Sequence, residues 1–343
     1  MLTNLKNNDS ILFMKNANYF KNVIGQASAK KKLNFLLDSY NRSKHLPHLL
    51  LSAPKGSGKT LLAREMGRNL KGSDGKPKRF LEINCAGIKS LKQFCESFLL
   101  QHVVDREVTV HLDEASEIPK DVEMALLTIL NPNDEHRTNF SFEEFSLDFD
   151  FKRQSFICST TEAHQMFDAL KDRFKRIDLQ AYSKQDLQGI MSLALKKKKV
   201  NFDNKVLSDV STVLRGNARQ AISMANDIAD YMHGKDQKFD FAHWNHMKDS
   251  LDILPMGISP GELNLLRLIA SRNGSTVTQL AAETGMTRTS LSKDVEMFLL
   301  QNGLMEIRAP SLRHATAKGL RLLEIQSGKP NAPLTNGHPT FGK

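Results

Sequence analysis

Short apolar runs alternate with amphipathic segments over the first half of the chain. The apolar runs have the length and composition of buried strands, and they occupy residues 49–51, 79–84, 108–114 and 155–161. The segments around them place apolar residues at helical spacing, and helices are predicted through Ala29, Leu33, Leu36 and Leu37, after residue 59, at 90–100 and at 123–130. Strands that alternate with helices favour a parallel sheet covered on both faces, with ligands at the carboxyl ends of the strands. We therefore predict an α/β fold for this part of the chain.

A different period appears between residues 140 and 151. Phe145, Leu147, Phe149 and Phe151 alternate there with polar residues, which is the pattern of a half-exposed strand. This stretch is therefore predicted to form a short, acid-rich β-hairpin ahead of the strand at 155–161.

The second half of the chain is predicted to be mainly helical. Helices are expected at 184–197, at 206–214 and from residue 218, followed by a Gly- and Pro-punctuated boundary at 255–260. Beyond it we predict helices at 262–271, 277–284 and 287–301, and a two-stranded wing at 304–308 and 314–316. A short helix, a turn with Gly and a longer helix form a helix-turn-helix, which reads DNA or, alternatively, binds another protein.

A loop of small residues joins the strand at 49–51 to the helix that follows. Its sequence fits the phosphate-binding pattern G-x-x-x-x-G-K-[ST], except that Ala53 stands in place of the first Gly. In such loops backbone N–H groups hold phosphate, Lys59 would place its charge near the outer phosphates, and the Thr60 hydroxyl would ligate Mg²⁺. The predicted nucleotide-binding residues of this loop are Lys55, Gly56, Ser57, Gly58, Lys59, Thr60 and Leu61.

Two later strands end in polar residues that suit the same site. Asp113 is predicted to hold Mg²⁺ together with Thr60, and Glu114 to activate the water that attacks the γ-phosphate. The other strand ends in Thr160 and Thr161, either of which could hydrogen-bond that water or the γ-phosphate.

Two arginines are candidates for phosphate contacts. Arg173 follows a short helix and could reach the γ-phosphate of a neighbouring subunit, or it could merely pair with Asp172 at the surface. Arg219 lies near a helix start, where it could meet either phosphate or solvent.

Composition adds a polyanionic partner to this picture. The 343 residues carry a formal net charge of +10 and a pI near 9.4, which makes nucleic acid the first candidate. The three cysteines lie in no metal-ligand spacing and predict buried, reduced thiols. The chain has no run of about 18 apolar residues and its N-terminus lacks the apolar core of a secretion signal, so we expect a cytoplasmic protein.

With these pieces in place, the sequence resembles the bacterial RuvB family, the AAA+ motors that drive branch migration of Holliday junctions. The resemblance runs from about Phe20 to Leu323 in colinear order. The segments that carry it are Val23-Ile24-Gly25-Gln26, Gly58-Lys59-Thr60, Leu112-Asp113-Glu114, Thr160-Thr161, Leu170-Lys171-Asp172-Arg173-Phe174, Tyr182, Arg219 and Phe298-Leu299-Leu300-Gln301-Asn302-Gly303.

The resemblance implies a role for each matching residue. Ile24 would line the adenine pocket, and Tyr182 and Arg219 would contact the nucleotide from a helical lid domain. Arg173 would act on the nucleotide of the neighbouring subunit. Arg308 and Arg313 match wing positions that contact DNA. ATP and Mg²⁺ are the implied cofactors, and the implied assembly is a homo-hexamer around double-stranded DNA or a Holliday junction, loaded by a RuvA-like partner.

The resemblance also divides the chain into parts. They are a loose leader at 1–18, an AAA+ large domain with the phosphate loop and parallel sheet at 19–181, a small helical lid domain at 182–254, a winged-helix DNA-binding domain at 255–326, and a disordered tail at 327–343. The chain departs from the usual family pattern at Ala53, at Lys55 where Pro is common, and at Ala115-Ser116-Glu117 where Ile-His-Arg is common.

These features predict an ATP hydrolase that moves double-stranded DNA in branch migration, recombination and repair. One alternative is an AAA+ loader or replication initiator, which uses ATP to place or open another ring. The other is a hydrolysis-poor DNA-binding scaffold, which is suggested by Ala53 and by the altered residues after Glu114.

Overall fold

The computed structural model describes residues 18–131, 133–272 and 274–326. These residues fall into two compact units, of which the first ends at Asn245 and the second begins at His246. The predicted tail and all of the predicted leader except Asn18 lie outside the described residues. The domain limits placed at 181/182 and 254/255 remain predictions.

A parallel β-sheet lies at the centre of the first unit. The strands of this unit are β1 (Leu49–Ser52), β2 (Arg79–Asn84), β3 (Val108–Asp113), β4 (Arg137–Phe142), β5 (Phe145–Asp150), β6 (Gln154–Thr160) and β7 (Lys175–Asp178). Five of them form one sheet in the order β2-β3-β6-β1-β7, and all of its neighbouring pairs are parallel. β1 lies inside this sheet with strands on both sides, so a crevice opens at its carboxyl end, where ligands bind in such folds.

Helices cover both faces of this sheet, which confirms the predicted α/β fold. They are α1 (Ala27–Ser43), α2 (Lys59–Asn69), α3 (Leu91–Phe94) with a π-helix over Cys95–Val103, α4 (Lys120–Ile129) and α5 (Asp168–Lys171). Alternate residues of β1 serve the two layers: Leu49 and Leu51 pack in the cluster that includes α1 and α2, whereas Leu50 packs in the cluster that includes α3 and α4. A strand buried on both faces is apolar throughout, which is why β1 reads as an unbroken Leu run.

The remaining strands of this unit differ in how well they were predicted. β4 and β5 pair in antiparallel fashion and form the predicted hairpin. β7 was not predicted, because only Ile177 among its four residues is apolar and buried. It pairs only through β1 at the sheet edge, where one side of a strand is free to carry polar residues.

Four helices follow β7, and the last of them extends past the end of the first unit at Asn245. They are α6 (Lys184–Lys197), α7 (Asn204–Ser211), α8 (Ala218–Tyr231) and α9 (Phe241–Ser250), and the first three match the predicted helices. α9 was not predicted and spans the division between the units. Its Trp244 is fully buried, and the indole Nε1 donates to Asp209 Oδ2 of α7 at 2.7 Å.

The second unit has the arrangement of a winged helix. It contains α10 (Pro260–Ala270), α11 (Val277–Thr284), α12 (Arg288–Ser290) continued by a π-helix over Leu291–Glu296 into α13 (Met297–Gln301), the antiparallel pair β8 (Met305–Arg308) and β9 (Leu312–Ala315), and α14 (Ala317–Gln326). Gly285 ends α11 with a φ of 70°, which supplies the predicted turn. Leu266, Leu291 and Leu299 bring these helices together in one apolar core.

The cysteines are buried and unpaired, as predicted: Cys85, Cys95 and Cys158 all lie in the core of the first unit. Over the described ranges, the helices are too short or too polar to cross a bilayer.

Candidate functional site

The loop that follows β1 has the geometry of a phosphate cradle. Gly56 and Gly58 have φ angles of 78° and 89°, which L side chains rarely adopt, and α2 begins at Lys59. Ala53, which replaces the expected Gly, is absent from the described residues with positive φ and packs in the apolar core beside β1. Its Cβ therefore adds no backbone strain to the turn.

Lys59 is held beneath this loop. Its side chain is buried, and Nζ donates to the carbonyl oxygens of Ala53 at 2.8 Å and Pro54 at 3.4 Å. Burial lowers the pKa of Lys59, and the charges of Glu114 and Asp113 oppose that shift. The ammonium group thus lies inside the loop, in the field of both carboxylates.

The two predicted acids meet this loop from the end of β3. Thr60 Oγ1 donates to Asp113 Oδ2 at 3.3 Å, so the two groups predicted to bind Mg²⁺ are in contact. Mg²⁺ prefers oxygen ligands, and a hydroxyl beside a carboxylate fits that preference. Glu114 has a φ of 52°, which turns the chain sharply after the strand.

The two threonines at the end of β6 have different surroundings. Thr160 is fully buried; its hydroxyl donates to Ser116 Oγ at 2.9 Å and accepts from the N–H of Glu162 at 3.0 Å. Thr161 is half-buried, and its hydroxyl donates to Glu114 Oε2 at 3.4 Å. The structure thus brings Thr161 to the predicted catalytic acid, whereas Thr160 joins its strand to the loop after that acid.

The helical part of the first unit closes over the phosphate loop. A Cβ at Gly58 would lie 2.6 Å from the Tyr182 hydroxyl, and a Cβ at Gly56 would lie 1.9 Å from Asn217 Oδ1. Asn217 also caps α8, because its Oδ1 accepts from the N–H of Arg219 at 2.9 Å. Gly therefore serves at both loop positions because the lid side chains fill the space that a Cβ would need.

Two residues before α1 contact the phosphate loop or the helices that follow the sheet. The Gln26 amide donates to the Ser57 carbonyl at 3.3 Å and to the Gln180 carbonyl at 2.7 Å, so it connects the loop to the chain entering the lid. Ile24 packs against α6, where a Cβ on Gly189 would lie 3.4 Å from Ile24 Cγ2.

Sequence reasoning assigned no separate role to Gln26 or Asn217. Gln26 was present only as part of a resembling segment, and the helix-start position of Asn217 was the available signal for a cap.

The remaining residues predicted for the site are Lys55, Ser57 and Leu61 in the loop and Arg219 in α8. Lys55 and Leu61 are exposed, whereas Ser57 is buried and its hydroxyl donates to the Pro54 carbonyl at 2.8 Å. Arg219 lies in the first turn of α8, and its charge further lowers the pKa of Lys59, after burial, the main cause. Arg219 also follows Ala218, whose N–H donates to the Gly56 carbonyl at 3.0 Å, so the start of α8 adjoins the loop.

Arg173 occupies a different position, at the end of α4. Its Nε donates to the Leu127 carbonyl at 2.8 Å and its Nη1 to the Ala169 carbonyl at 2.6 Å. A cation is favourable there because the carbonyl end of a helix is partially negative. Asp172, the alternative partner weighed from the sequence, is not among the hydrogen-bonding partners found for this guanidinium in the described residues.

The chain is similar in sequence to known ATPases. Residues 49–182 match the family described as "ATPase family associated with various cellular activities (AAA)". RuvB of Pseudothermotoga lettingae is 26% identical over 322 residues, which cover 90% of this chain and 89% of that protein. RuvB of Sulfurimonas denitrificans is 25% identical over 88% of each chain. The chain is a divergent relative of RuvB.

A solved structure shows that the fold is shared as well. The RuvB Holliday junction branch migration motor of Thermotoga maritima superposes with a TM-score of 0.71 at 22% identity, over 90% of this chain and 98% of that one. The AAA match includes the phosphate loop, both acids and Tyr182, so these residues belong to an ATPase domain that binds nucleotide.

The two wing arginines have different environments in the second unit of this RuvB relative. Arg308 is exposed on β8, where its Nε donates to Glu306 at 2.7 Å. Arg313 is 9% exposed, and its Nε and Nη2 donate to the two carboxylate oxygens of Glu296 at 2.8 and 3.1 Å, with Nη1 on the Ser311 carbonyl. This buried, ion-paired position is at odds with the predicted DNA contact of Arg313. The sequence alone could not distinguish Arg313 from Arg308.

Arg313→Ala is expected to destabilise the second unit. Glu296 is 2% exposed, and breaking a buried ion pair by removing one partner costs about 3–5 kcal/mol. Arg308→Ala, at an exposed position on the adjoining strand, serves as the matched control and should change stability by less than about 1 kcal/mol. Chemical denaturation of the intact chain measures both, and equal stabilities of the two variants would contradict a structural role for Arg313.

Proposed function

We propose that this protein is an ATP-driven double-stranded DNA translocase that acts in branch migration of Holliday junctions. One observation carries the proposal: Lys59, Thr60, Asp113, Glu114 and Thr161 converge at the carboxyl edge of the sheet. The lid closes on the same loop through Tyr182 and Asn217. The relatives whose alignments cover 88–90% of this chain are named branch migration subunits. Their names support this function over other uses of an ATPase domain.

Each residue of the site has a proposed part in ATP hydrolysis. The loop from Lys55 to Thr60 binds the phosphates, and Thr60 with Asp113 would hold Mg²⁺, which neutralises phosphate charge when bound. Glu114 accepts the proton of the attacking water, because its carboxylate lies beside the loop and is oriented by Thr161. Ile24, Leu61, Tyr182 and Arg219 surround the nucleotide, with Thr160 supporting the loop after Glu114.

Arg173 is proposed to act on the nucleotide of an adjacent protomer. Its place at the end of α4 and its half-buried side chain leave it outside the cluster around Lys59. An arginine that neutralises transition-state charge across a contact makes hydrolysis depend on assembly. We therefore propose a working homo-oligomer, a hexamer by likeness to the RuvB family, with a RuvA-like junction-binding partner.

DNA binding is proposed to lie in the second unit. Arg308 is exposed on the wing, and Arg288 and Lys293 are exposed at the start of the helix that a helix-turn-helix places in a DNA groove. Contacts from such cations to phosphates supply affinity that falls with salt. Arg313 is left out of this proposal because Glu296 holds its guanidinium in the core.

Lys59→Ala is expected to weaken ATP binding by at least about 30-fold. The substitution removes a buried cation, and loss of one partner in such a contact costs about 2–5 kcal/mol. Equilibrium binding of a fluorescent ATP analogue measures the effect, and Lys31→Ala, at an exposed lysine of α1, is the control that should match wild type. Unchanged binding in Lys59→Ala would refute the nucleotide site.

The motor activity itself is tested on a synthetic four-way junction. With ATP, Mg²⁺ and a RuvA-like partner, the protein should convert the junction to duplex products, and Lys59→Ala should not. DNA-stimulated ATP hydrolysis without any junction movement, with or without the partner, would favour the loader or initiator alternative. Failure to hydrolyse ATP at all would favour the DNA-binding scaffold.

A further inference from the structure

A chain of polar side chains crosses the interior of the sheet and ends at Asp113. His111 lies two residues before Asp113 on β3, so both side chains point to the same face. His111 is fully buried, and its Nε2 lies 3.0 Å from Ser159 Oγ on the neighbouring strand β6. Ser159, also fully buried, hydrogen-bonds to Asp113 Oδ1. Apolar residues would normally fill such positions in a strand buried on both faces.

The directions of these hydrogen bonds follow from the chemistry of the groups. An ionised carboxylate only accepts, so the Ser159 hydroxyl uses its single proton on Asp113. The Ser159 oxygen is then left to accept from His111, which places a proton on Nε2. His111 therefore fixes the rotation of the Ser159 hydroxyl, and that hydroxyl fixes Asp113.

The other end of this side-chain network lies beside an ion pair. His111 Nδ1 lies 3.5 Å from Glu82 Oε2, and residues 82 and 111 are direct neighbours across the pair β2–β3. Arg64 holds the Glu82 carboxylate with two hydrogen bonds, at 3.0 and 2.9 Å. Arg64 lies in α2, about one turn after Thr60. With the proton on Nε2, Nδ1 offers only a lone pair to that carboxylate and has no hydrogen-bond partner among the described residues. The hydrogen-bonded network therefore runs from Thr60 to His111 and ends beside the Arg64–Glu82 ion pair.

The Asp113 carboxylate is held asymmetrically as a result. Its Oδ1 accepts from Ser159 Oγ and from the N–H of Glu114 at 3.1 Å, whereas its Oδ2 faces Thr60 Oγ1 at 3.3 Å. One oxygen is occupied by donors of the protein, and the other is directed to the residue with which Asp113 would share Mg²⁺.

We infer that His111 and Ser159 are positioning residues that set the Mg²⁺ affinity of the nucleotide site by fixing the orientation of Asp113. The inference rests on the proposed function, because it assigns Mg²⁺ to Thr60 and Asp113. Hydrogen-bonding partners behind a metal ligand typically contribute 10–100-fold to metal affinity. Neither residue touches the nucleotide in this scheme, and both act through the carboxylate.

The test measures binding of a fluorescent ADP analogue as Mg²⁺ is titrated, with an EDTA reference. Ser159→Ala should raise by about 10-fold the Mg²⁺ concentration that gives half of the change in analogue binding. His111→Leu should raise it about fivefold, the equivalent of one hydrogen bond of about 1 kcal/mol. His111→Gln keeps a side-chain N–H and should restore most of the wild-type value. Affinity in EDTA should stay unchanged in all three variants.

The double variant and a matched control separate positioning from packing. Ser159→Ala combined with His111→Leu should behave like Ser159→Ala alone, because His111 acts only through the Ser159 hydroxyl. Ser155→Ala removes another buried hydroxyl of β6, one bonded to Lys78 rather than to Asp113, and should leave the Mg²⁺ dependence unchanged. Thermal unfolding of each variant identifies any loss of fold. If His111→Leu unfolds, the Mg²⁺ dependence of the single variant His111→Gln can still be compared with that of the control Ser155→Ala.

Two failures have different meanings in this design. If wild type does not bind the analogue in EDTA or in Mg²⁺, the proposed nucleotide site is wrong. If wild type binds and Mg²⁺ tightens its binding, but Ser159→Ala and His111→Leu match wild type or their effects add, the positioning inference is overturned and the nucleotide site stands.

Discussion

Arg173→Ala is expected to lower the rate of ATP hydrolysis by about 10³-fold or more while nucleotide affinity stays near the wild-type value. An arginine supplied to a neighbour's phosphate contributes about 10³–10⁵ to the rate, because it stabilises charge that develops only in the transition state. The Arg173 guanidinium rests on the carbonyls of Leu127 and Ala169, outside the cluster around Lys59. Its loss should therefore leave the binding loop intact.

Mixing of subunits tests whether Arg173 acts between protomers. Lys59→Ala subunits cannot bind ATP well but keep Arg173, whereas Arg173→Ala subunits bind ATP and lack the arginine. Mixed in equal amounts, the two inactive variants should recover part of the steady-state ATPase activity. Arg173→Lys keeps the positive charge but lacks the planar guanidinium, so it is expected to recover little ATPase activity. Absence of recovery in demonstrably mixed assemblies would reject the role in trans.

Glu114→Gln is expected to lower ATP hydrolysis by about 10²–10⁴-fold, the usual contribution of a positioned general base. The amide has nearly the shape of the carboxylate and can keep the hydrogen bond from Thr161, but it cannot take up a proton at neutral pH. Single-turnover hydrolysis of ATP measures the chemical step, and equilibrium binding should show unchanged affinity.

Glu117→Gln is the matched control for that substitution. Glu117 is an exposed carboxylate three residues further along the chain, so its neutralisation changes the net charge equally without touching the loop. Its hydrolysis rate should stay within about twofold of wild type, as expected for an exposed position away from the chemistry. A Glu114→Gln rate equal to that of Glu117→Gln would remove the proposed base.

The sequence predicted the parts of the fold whose residues are buried on a regular period. The Leu run of β1 and the Gly-rich loop after it identified the centre of the sheet, and the spacing of Ala29, Leu33 and Leu37 identified α1. Edge strand β7 escaped prediction because one side of it faces no other strand of the sheet, and only Ile177 carries an apolar signal.

The candidate site was predictable by residue type but not by orientation. Periodicity placed both Thr160 and Thr161 at the end of a strand, yet only the packing shows that Ser116 binds the first and Glu114 the second. Arg308 and Arg313 looked alike in the wing, and the burial of Glu296 separates them. Such choices depend on tertiary contacts between residues distant in the chain, which a local pattern does not encode.

The fit of Asn217 against Gly56 has a mechanical consequence for α8. The Ala218 N–H donates to the Gly56 carbonyl at 3.0 Å, so the base of this helix is tied to the loop that would grip phosphate. With 14 residues, α8 is about 21 Å long, and a tilt of about 10° at its base would sweep its far end through about 4 Å. A movement of this loop would therefore be transmitted through Gly56 and Ala218 to the far end of α8.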